Sequence, residues 1–339
     1  MKLGTTDISA IKLGGTGISK AYLGSSVVYE YSTGPYTGFY VEDISGSDNT
    51  VTVKKYNASA PTLTIEKSLD GKTWTSMGNT STTGATATVP ANSRLFLRCN
   101  AITWASSYSY YNFITCSGRF NVGGNIMSLL YGSSFTGEET TFPTESTYTF
   151  YGLFYNVTTL VSAENLFLPA TTLVLYCYAS LFYNCTSLTG APELPATTMA
   201  ESCYSSLFSG CTSLTTPPAL PATTLASHCY DSLFSRCSSL KVAPELPATT
   251  LVDSCYTYLF NKCSSLTYIK VGFTNWKFTA SSTDATKVWT HLTVNTTGTF
   301  VCPAALPKAF NKSGNSSYHD SSLSNGNNAI PYGWTVETF

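Results

Sequence analysis

Charge is what this 339-residue chain has least of. Lys and Arg number 18, Asp and Glu 19, and charged residues make up 11 % of the total, under half the usual share of about 25 %. The net charge is −1, so the chain carries no electrostatic footprint for nucleic acid or for an anionic membrane surface. Histidine is as scarce: His228, His291 and His319 stand in unrelated contexts. No GxSxG, phosphate loop, HExxH or CxxC occurs, which leaves no recognisable nucleophile with its base, nucleotide cradle or zinc site. Glu138-Glu139 fall in a turn-like stretch, and Glu193 and Glu245 belong to a repeat. The expectation is a protein that is not an enzyme and takes no cofactor or metal. No apolar run of about 7–15 residues follows Met1, so no secretory signal is read there. Nor is there an apolar stretch of membrane length, and no membrane insertion is expected.

Apolar and aromatic residues are plentiful by contrast, at 43 % and 14 %. Ser, Thr, Asn and Gly fill the polar surface, a texture common on extracellular β structures and on virion proteins. "LPATT" occurs at Leu168, Leu194, Leu220 and Leu246, 26 residues apart each time. It is similar to a sortase signal, but the fifth residue is Thr rather than Gly, and the chain runs on from Thr250 to Phe339 with no apolar anchor. A fixed period marks a structural repeat instead. The 11 cysteines are an odd number, and most are expected to be free, buried thiols in a protein made in a reducing cytoplasm.

The pattern divides the chain into four segments. In residues 1–34, Leu3-Gly4, Leu13-Gly14 and Leu23-Gly24 are ten residues apart, and so are Ile8, Ile18 and Val28. Short apolar runs punctuated by Gly predict short strands and tight turns. Units this small bury no core alone. The segment needs the next domain, copies of itself or a larger assembly, unless it is a β-arm packed on its own chain. After the linker-like "YSTGPYT", residues 35–123 alternate with period two in "NTVTVKKY", "TLTIEKS", "ATATVP" and "RLFLRC". These predict an immunoglobulin-like β-sandwich, with Asp70-Gly71 marking a hairpin. The aromatics of "TWASSYSYYNF" (Trp104, Tyr108, Tyr110, Tyr111 and Phe113) read either as a sugar-binding platform or as filling of the junction with the repeats.

Residues 124–267 carry the unit "LPATTLxxxCYxSLFxxCxSLxxAPE". "YGLFYNVTTL" is an upstream variant with Val157 in the second cysteine slot, and "IMSLLYGSSF" reads as a still more degenerate first coil. Within "CYxSLFxxC" apolar groups stand at i, i+1, i+4, i+5 and i+8, which predicts one face of a short helix. The "SLxxAPELPATTL" part is extended, broken by proline. Seven residues separate paired cysteines such as Cys177 and Cys185, and on a helix their sulfurs lie too far apart to share an ion or a disulfide. The fold class expected is mostly β with short helices: an N-terminal β-arm, a sandwich, a solenoid of 26-residue repeats and a C-terminal cap over residues 268–339. Constant positions hold such a fold, and changing ones are the natural recognition surface. The changing ones are Tyr176, Ser202, His228 and Ser254; Ala179, Ser205, Asp231 and Thr257; and Asn184, Gly210, Arg236 and Lys262.

Three resemblances extend this reading. "IKLGGTGISKAYLGSSVVYE" resembles an element at the start of phage tail and fibre proteins, which implies a virion attachment role for Leu3, Ile8, Leu13, Ile18, Leu23 and Val28. "LFSGCTSLTTPPALP" and "LFSRCSSLKVAPELP" resemble the BspA-like leucine-rich repeats, known from adhesion proteins of gut and oral bacteria and from phages of gut bacteria. Residues 297–339 resemble the cap of that group, with Trp276, Trp289 and Trp334 covering the last coil. Together they imply a virion protein, assembled in the host cytoplasm, that binds other virion proteins through its N-terminal segment and presents the solenoid to a bacterial surface glycan or protein. A homo-oligomer is expected, and a trimer by analogy with fibres. A bacterial cell-surface adhesin and a decoration or collar protein without a host ligand are the alternatives.

Overall fold

The computed structural model describes residues 37–143, 146–276, 285–286, 289–290, 297–308 and 330–339, together with the backbone of six short strands within residues 2–30. Those strands form three consecutive antiparallel hairpins. β1 (Lys2–Leu3) pairs with β2 (Thr6–Asp7), β3 (Lys12–Leu13) with β4 (Thr16–Gly17), and β5 (Lys20–Leu23) with β6 (Ser26–Glu30). Leu3, Leu13, Leu23 and Val28 stand in these strands, while Ile8 and Ile18 lie outside the described residues.

The alternating segments form strands as their pattern demands. These are β7 (Tyr40–Asp43), β8 (Asn49–Lys55), β9 (Thr64–Ser68), β10 (Thr75–Asn79), β11 (Ala85–Val89), β12 (Arg94–Cys99), β13 (Ala105–Ser107), β14 (Tyr110–Cys116) and β15 (Phe120–Asn125). In β11 the small apolar residues Ala85, Ala87 and Val89 are buried while Thr86 and Thr88 face solvent, the half-buried alternation of a strand covering a core. One sheet of four strands runs β11-β8-β14-β13. The other, of six, runs β10-β9-β12-β7-β15-β16, where β16 is Leu160–Phe167. The Asp70-Gly71 hairpin is present. Asp70 accepts the Lys72 and Thr73 N–H groups at 2.8 and 2.7 Å, and Gly71 takes φ 69°, a value that costs glycine nothing.

Residues 126–135 are not a coil of the repeat. They form α1 (Ser128–Tyr131) and a 3-10 turn, Gly132–Ser134. Both belong to the sandwich: the Ala101 N–H donates to Leu130 O at 3.1 Å, and Trp104 Nε1 donates to Leu129 O at 2.8 Å. Gly132 sits at φ 53°, and a Cβ there would come within 3.0 Å of Asn100, so the chain turns where only glycine fits.

The repeats begin at Tyr148 and lie one on another. β16 is the extended leg of the first coil and pairs in parallel with β15. Further parallel bridges join Ser162 to Gly190, Thr172 to Thr198, Thr198 to Thr224 and Val242 to Tyr268. The stack continues through β17 (Tyr268–Lys270), β18 (Thr299–Cys302) and β19 (Thr335–Thr338), a three-stranded parallel sheet. Trp289 and Trp334 are buried beneath it. Trp276 packs at 5.9 Å from Trp289 and 6.2 Å from Phe300.

The "CYxSLFxxC" stretch is not helical, which corrects the reading from periodicity. The N–H groups of Tyr176, Tyr178, Ser180, Phe182 and Asn184 donate to Glu201, Cys203, Ser205, Leu207 and Ser209 of the next coil at 2.7–3.3 Å. Those between them, from Cys177 to Cys185, donate three residues back at 3.0–3.2 Å. A helix would send every N–H to the carbonyl four residues back. Here half of them leave the coil, and the chain advances as linked tight turns of four residues each. Every fourth residue is left-handed: Tyr176, Ser180 and Asn184 have φ 55°, 55° and 57°. Over nine residues a period of four and a period of 3.6 place the same apolar side chains inward, so the pattern alone does not separate them.

Inside, identical residues meet identical residues. Phe154, Phe182, Phe208, Phe234 and Phe260 stack in file with centroids 5.5–6.1 Å apart. Phe150, Tyr178, Tyr204, Tyr230 and Tyr256 do likewise at 5.8–6.1 Å. The buried apolar side chains of sandwich, repeats and final strands make one continuous cluster.

This architecture makes two measurable demands. Gly152 (φ 64°) lets the Tyr111 ring approach to 2.9 Å of where a Cβ would stand. Gly152→Ala is expected to cost about 1–3 kcal/mol in denaturant unfolding, through left-handed strain and the displaced ring. The buried Asp43 ends β7. Burial alone raises its carboxyl, but bonds from the Asn92 N–H (2.9 Å), the Ser45 hydroxyl and N–H (2.7 and 3.2 Å) and the Asn49 amide (2.7 Å) hold it well below the ordinary 3.8. A carboxyl lowered on folding stabilises at pH above its ordinary value and loses that contribution as pH falls through it toward the folded value. Melting curves are expected to show a loss of stability below about pH 4 that is smaller in Asp43→Asn.

Candidate functional site

The linked turns set each group of changing positions in line along the stack. Tyr176, Ser202, His228 and Ser254 occupy one left-handed file, with φ 55°, 54°, 53° and 52°. Asn184, Gly210, Arg236 and Lys262 occupy another, with φ 57°, 81°, 64° and 62°. Only Gly, and to a degree Asn, takes this conformation freely, and others pay about 1–2 kcal/mol. Variation here is therefore tolerated against a backbone cost rather than free of one.

Alignment in a file does not make every member accessible. Ala179, Ser202, Gly210, Ser254 and Thr257 are buried, which removes them from any face a ligand touches. Tyr176, Asn184, Ser205, His228 and Asp231 are half-buried, and Arg236 and Lys262 are at the surface. His228 Nδ1 lies 3.0 Å from Asp231 Oδ2, and the Ser232 hydroxyl donates to the other Asp231 oxygen at 2.7 Å. Asn184 donates to the Asn156 amide oxygen of the preceding coil at 2.9 Å. Several of the accessible members are thus occupied with neighbours on the same coil or the one before.

The aromatic segment of the sandwich divides. Trp104 and Tyr111 are buried, 0 % and 2 % exposed, and fill the junction. Tyr108 and Tyr110 are 69 % and 42 % exposed. Phe113 is half-buried, with Lys54 Nζ 5.1 Å from its ring centre.

Tyrosines around Tyr176 and Tyr111, most of which the pattern did not single out, matter more. Tyr148, Tyr151 and Tyr155 on the first coil, and Tyr176 and Tyr183 on the second, take slots that later coils give mostly to small or polar residues. Tyr148 stacks on Tyr176 at 4.5 Å and Tyr155 on Tyr183 at 4.7 Å, the spacing of hydrogen-bonded strands. Tyr111 contacts Tyr151 edge-on at 5.5 Å and Tyr155 at 5.9 Å, and Tyr56 lies flat on it at 4.6 Å. Burial, and then neighbouring phenols, push the Tyr111, Tyr148 and Tyr155 hydroxyls above their ordinary 10, so they stay neutral donors. The signal was legible in principle: aligning the coils shows the Tyr148 and Tyr155 slots filled by Tyr in the first two coils and the Tyr151 slot in the first alone.

All 11 cysteines are buried, and none forms a disulfide. The second cysteine of each coil has a defined role. Cys185, Cys211, Cys237 and Cys263 each donate Sγ–H to the Phe carbonyl of the coil before, at 3.0–3.2 Å. Val157 stands in this slot on the first coil, which has no preceding coil to bond. Among the described residues no group of three His, Cys, Asp or Glu is arranged to hold a metal ion, and no helix is long and apolar enough to cross a membrane. His291 and His319 lie outside the described residues. A proline-lined groove of about 780 Å³ runs between residues 215–221 and 242–247.

Compared with known protein families, curated proteins and solved structures, the chain has no significant match in any of the three.

Burial pushes the repeat thiols far up, Cys203 and Cys263 to about 12. Iodoacetamide near neutral pH is expected to label none of the repeat cysteines in the folded chain and all of them in denaturant, read by intact mass. Rapid labelling of the folded chain would show that the coils open readily.

Proposed function

We propose that the chain is a phage virion structural protein, a tail or head appendage, that acts by binding rather than by catalysis. Residues 1–34 attach it to other virion proteins, residues 35–135 form an immunoglobulin-like sandwich, and the repeats from Tyr148 to residue 267 form a BspA-like leucine-rich-repeat solenoid closed by a cap over 268–339. The solenoid is presented to a bacterial surface glycan or protein, and the assembled form is a homo-oligomer.

The carrying observation is the contrast between the start of the chain and its body. Three hairpins of two to five residues per strand are too small to bury a core of their own, which suits docking on a partner. The sandwich and the repeats share a continuous, well-packed interior, which suits display. Buried thiols outside any disulfide along the whole stack are in keeping with assembly in a reducing cytoplasm. The resemblance of the repeat to bacterial adhesins keeps a cell-surface adhesin as the second reading.

Mass spectrometry of purified virions from a phage carrying this gene tests the reading. The protein is expected in the particles, and removal of residues 1–34 is expected to abolish its incorporation while leaving the melting temperature of the remaining chain unchanged. Absence from virions, with the protein on the bacterial surface instead, would leave the adhesin.

A further inference from the structure

The junction between sandwich and repeats holds an aromatic surface larger than packing requires. Tyr111 is buried there against Tyr151 and Tyr155. Tyr56 lies on Tyr111 with an interplanar angle of 12° and is 57 % exposed. One face of the Tyr56 ring is therefore covered by Tyr111 and the other is turned to solvent. The ring is also held: the Tyr56 N–H donates to Tyr111 O at 2.8 Å, and the next residue, Asn57, donates its amide to Ser109 O. That second bond ties Tyr56 to the loop carrying Tyr108 and Tyr110, 69 % and 42 % exposed. A fixed ring with an open face gives up hydrophobic burial for no gain in the fold.

Tyr108 adjoins Tyr148 of the same aromatic cluster. We infer that Tyr56, with Tyr108, is a binding platform for a neutral glycan built of pyranose rings. A pyranose has an apolar C–H face that lies flat on an aromatic ring and a rim of hydroxyls that needs donors and acceptors. A phenol supplies both, an apolar body and a polar tip. The polar groups tied to this surface are uncharged: the amide of Asn57 and the backbone and hydroxyl groups of Ser107 and Ser109. Lys55 is turned to Thr62 Oγ1 at 2.6 Å. Lys54 over Phe113 and Glu201 beside Tyr148 border the surface with one charge of each sign, so a neutral saccharide fits better than an anionic one. The inference rests on the proposed surface-binding role and gives that role a site on the sandwich side of the junction, away from the changing positions of the later coils.

Affinity electrophoresis of the full chain in gels containing dextran, mannan, mixed-linkage β-glucan or galactan, with alginate as the anionic control, tests it. At least one neutral polysaccharide is expected to retard the chain more than alginate does. Tyr56→Ala and Tyr108→Ala are expected to weaken that retardation about tenfold without changing the melting temperature. Tyr332→Ala, which removes a tyrosine 56 % exposed beyond the repeats, is expected to leave it intact. Retardation by none of the neutral polysaccharides, or by alginate alone, overturns the inference. Retardation that survives Tyr56→Ala and Tyr108→Ala overturns this platform while leaving glycan binding elsewhere on the chain. Binding of intact bacteria that survives periodate treatment of the cells but not protease points to a protein partner and also overturns it. The virion measurement is independent of all these outcomes, so failure of the platform and failure of the virion reading are told apart.

Discussion

Everything in the repeat body depends on one constraint: a coil cannot satisfy its own backbone. Half of the N–H groups in each "CYxSLFxxC" stretch are turned out of the coil, and their carbonyl partners lie on the next one. A coil alone would hold those groups unpaired against an apolar interior, where an unmade hydrogen bond costs about 1–3 kcal/mol. The stack is thus cooperative by geometry. Identity between coils fits this constraint, since a hydrogen-bond register that repeats sets Phe over Phe and Tyr over Tyr. The second cysteines obey the same logic, each closing on a carbonyl of the coil before it.

A stack held this way has two open ends, and the chain closes them differently. At the start, β15 of the sandwich pairs with β16 of the first coil. The sandwich thereby covers the first rung, and the first rung covers a sheet edge that would otherwise invite foreign strands. At the finish, β18 and β19 add two further parallel rungs, and Tyr256 and Phe260 send their N–H groups to Ala285 and Trp289 at 2.7 Å. The last residues of the array therefore find partners in a segment whose sequence has left the repeat.

The sandwich interface also accounts for the tyrosines. Slots that are mostly small or polar on later coils are aromatic on the first, where Tyr151 and Tyr155 meet Tyr111 instead of water. Gly152 belongs to the same adjustment: its slot is Ser on the next three coils, but a side chain would strike the Tyr111 ring. The surface that results is built mostly of phenol rings, in keeping with a chain whose charged residues are 11 % of the total.

Periodicity alone carried much of this. The 26-residue spacing of LPATT, the inward Cys, Tyr, Leu and Phe, the ten-residue spacing of the N-terminal hairpins and the alternation in β11 were legible because each reports which side chains share a face, and burial depends on that directly. The turn conformation was not legible, since periods of four and 3.6 coincide over nine residues and the deciding hydrogen bonds run to another coil. Nor was the burial of Ser202, Ser254 and Thr257, for variability says that a position changes, not whether it reaches water. Residues 126–135 looked like a coil by composition and joined the sandwich because Trp104 and Ala101 offer their donors to its carbonyls. The repeat and its interior were set by local pattern. The backbone path, the accessible positions and the exposed ring of Tyr56 were decided only when distant segments met, because each depends on a partner far away in the chain.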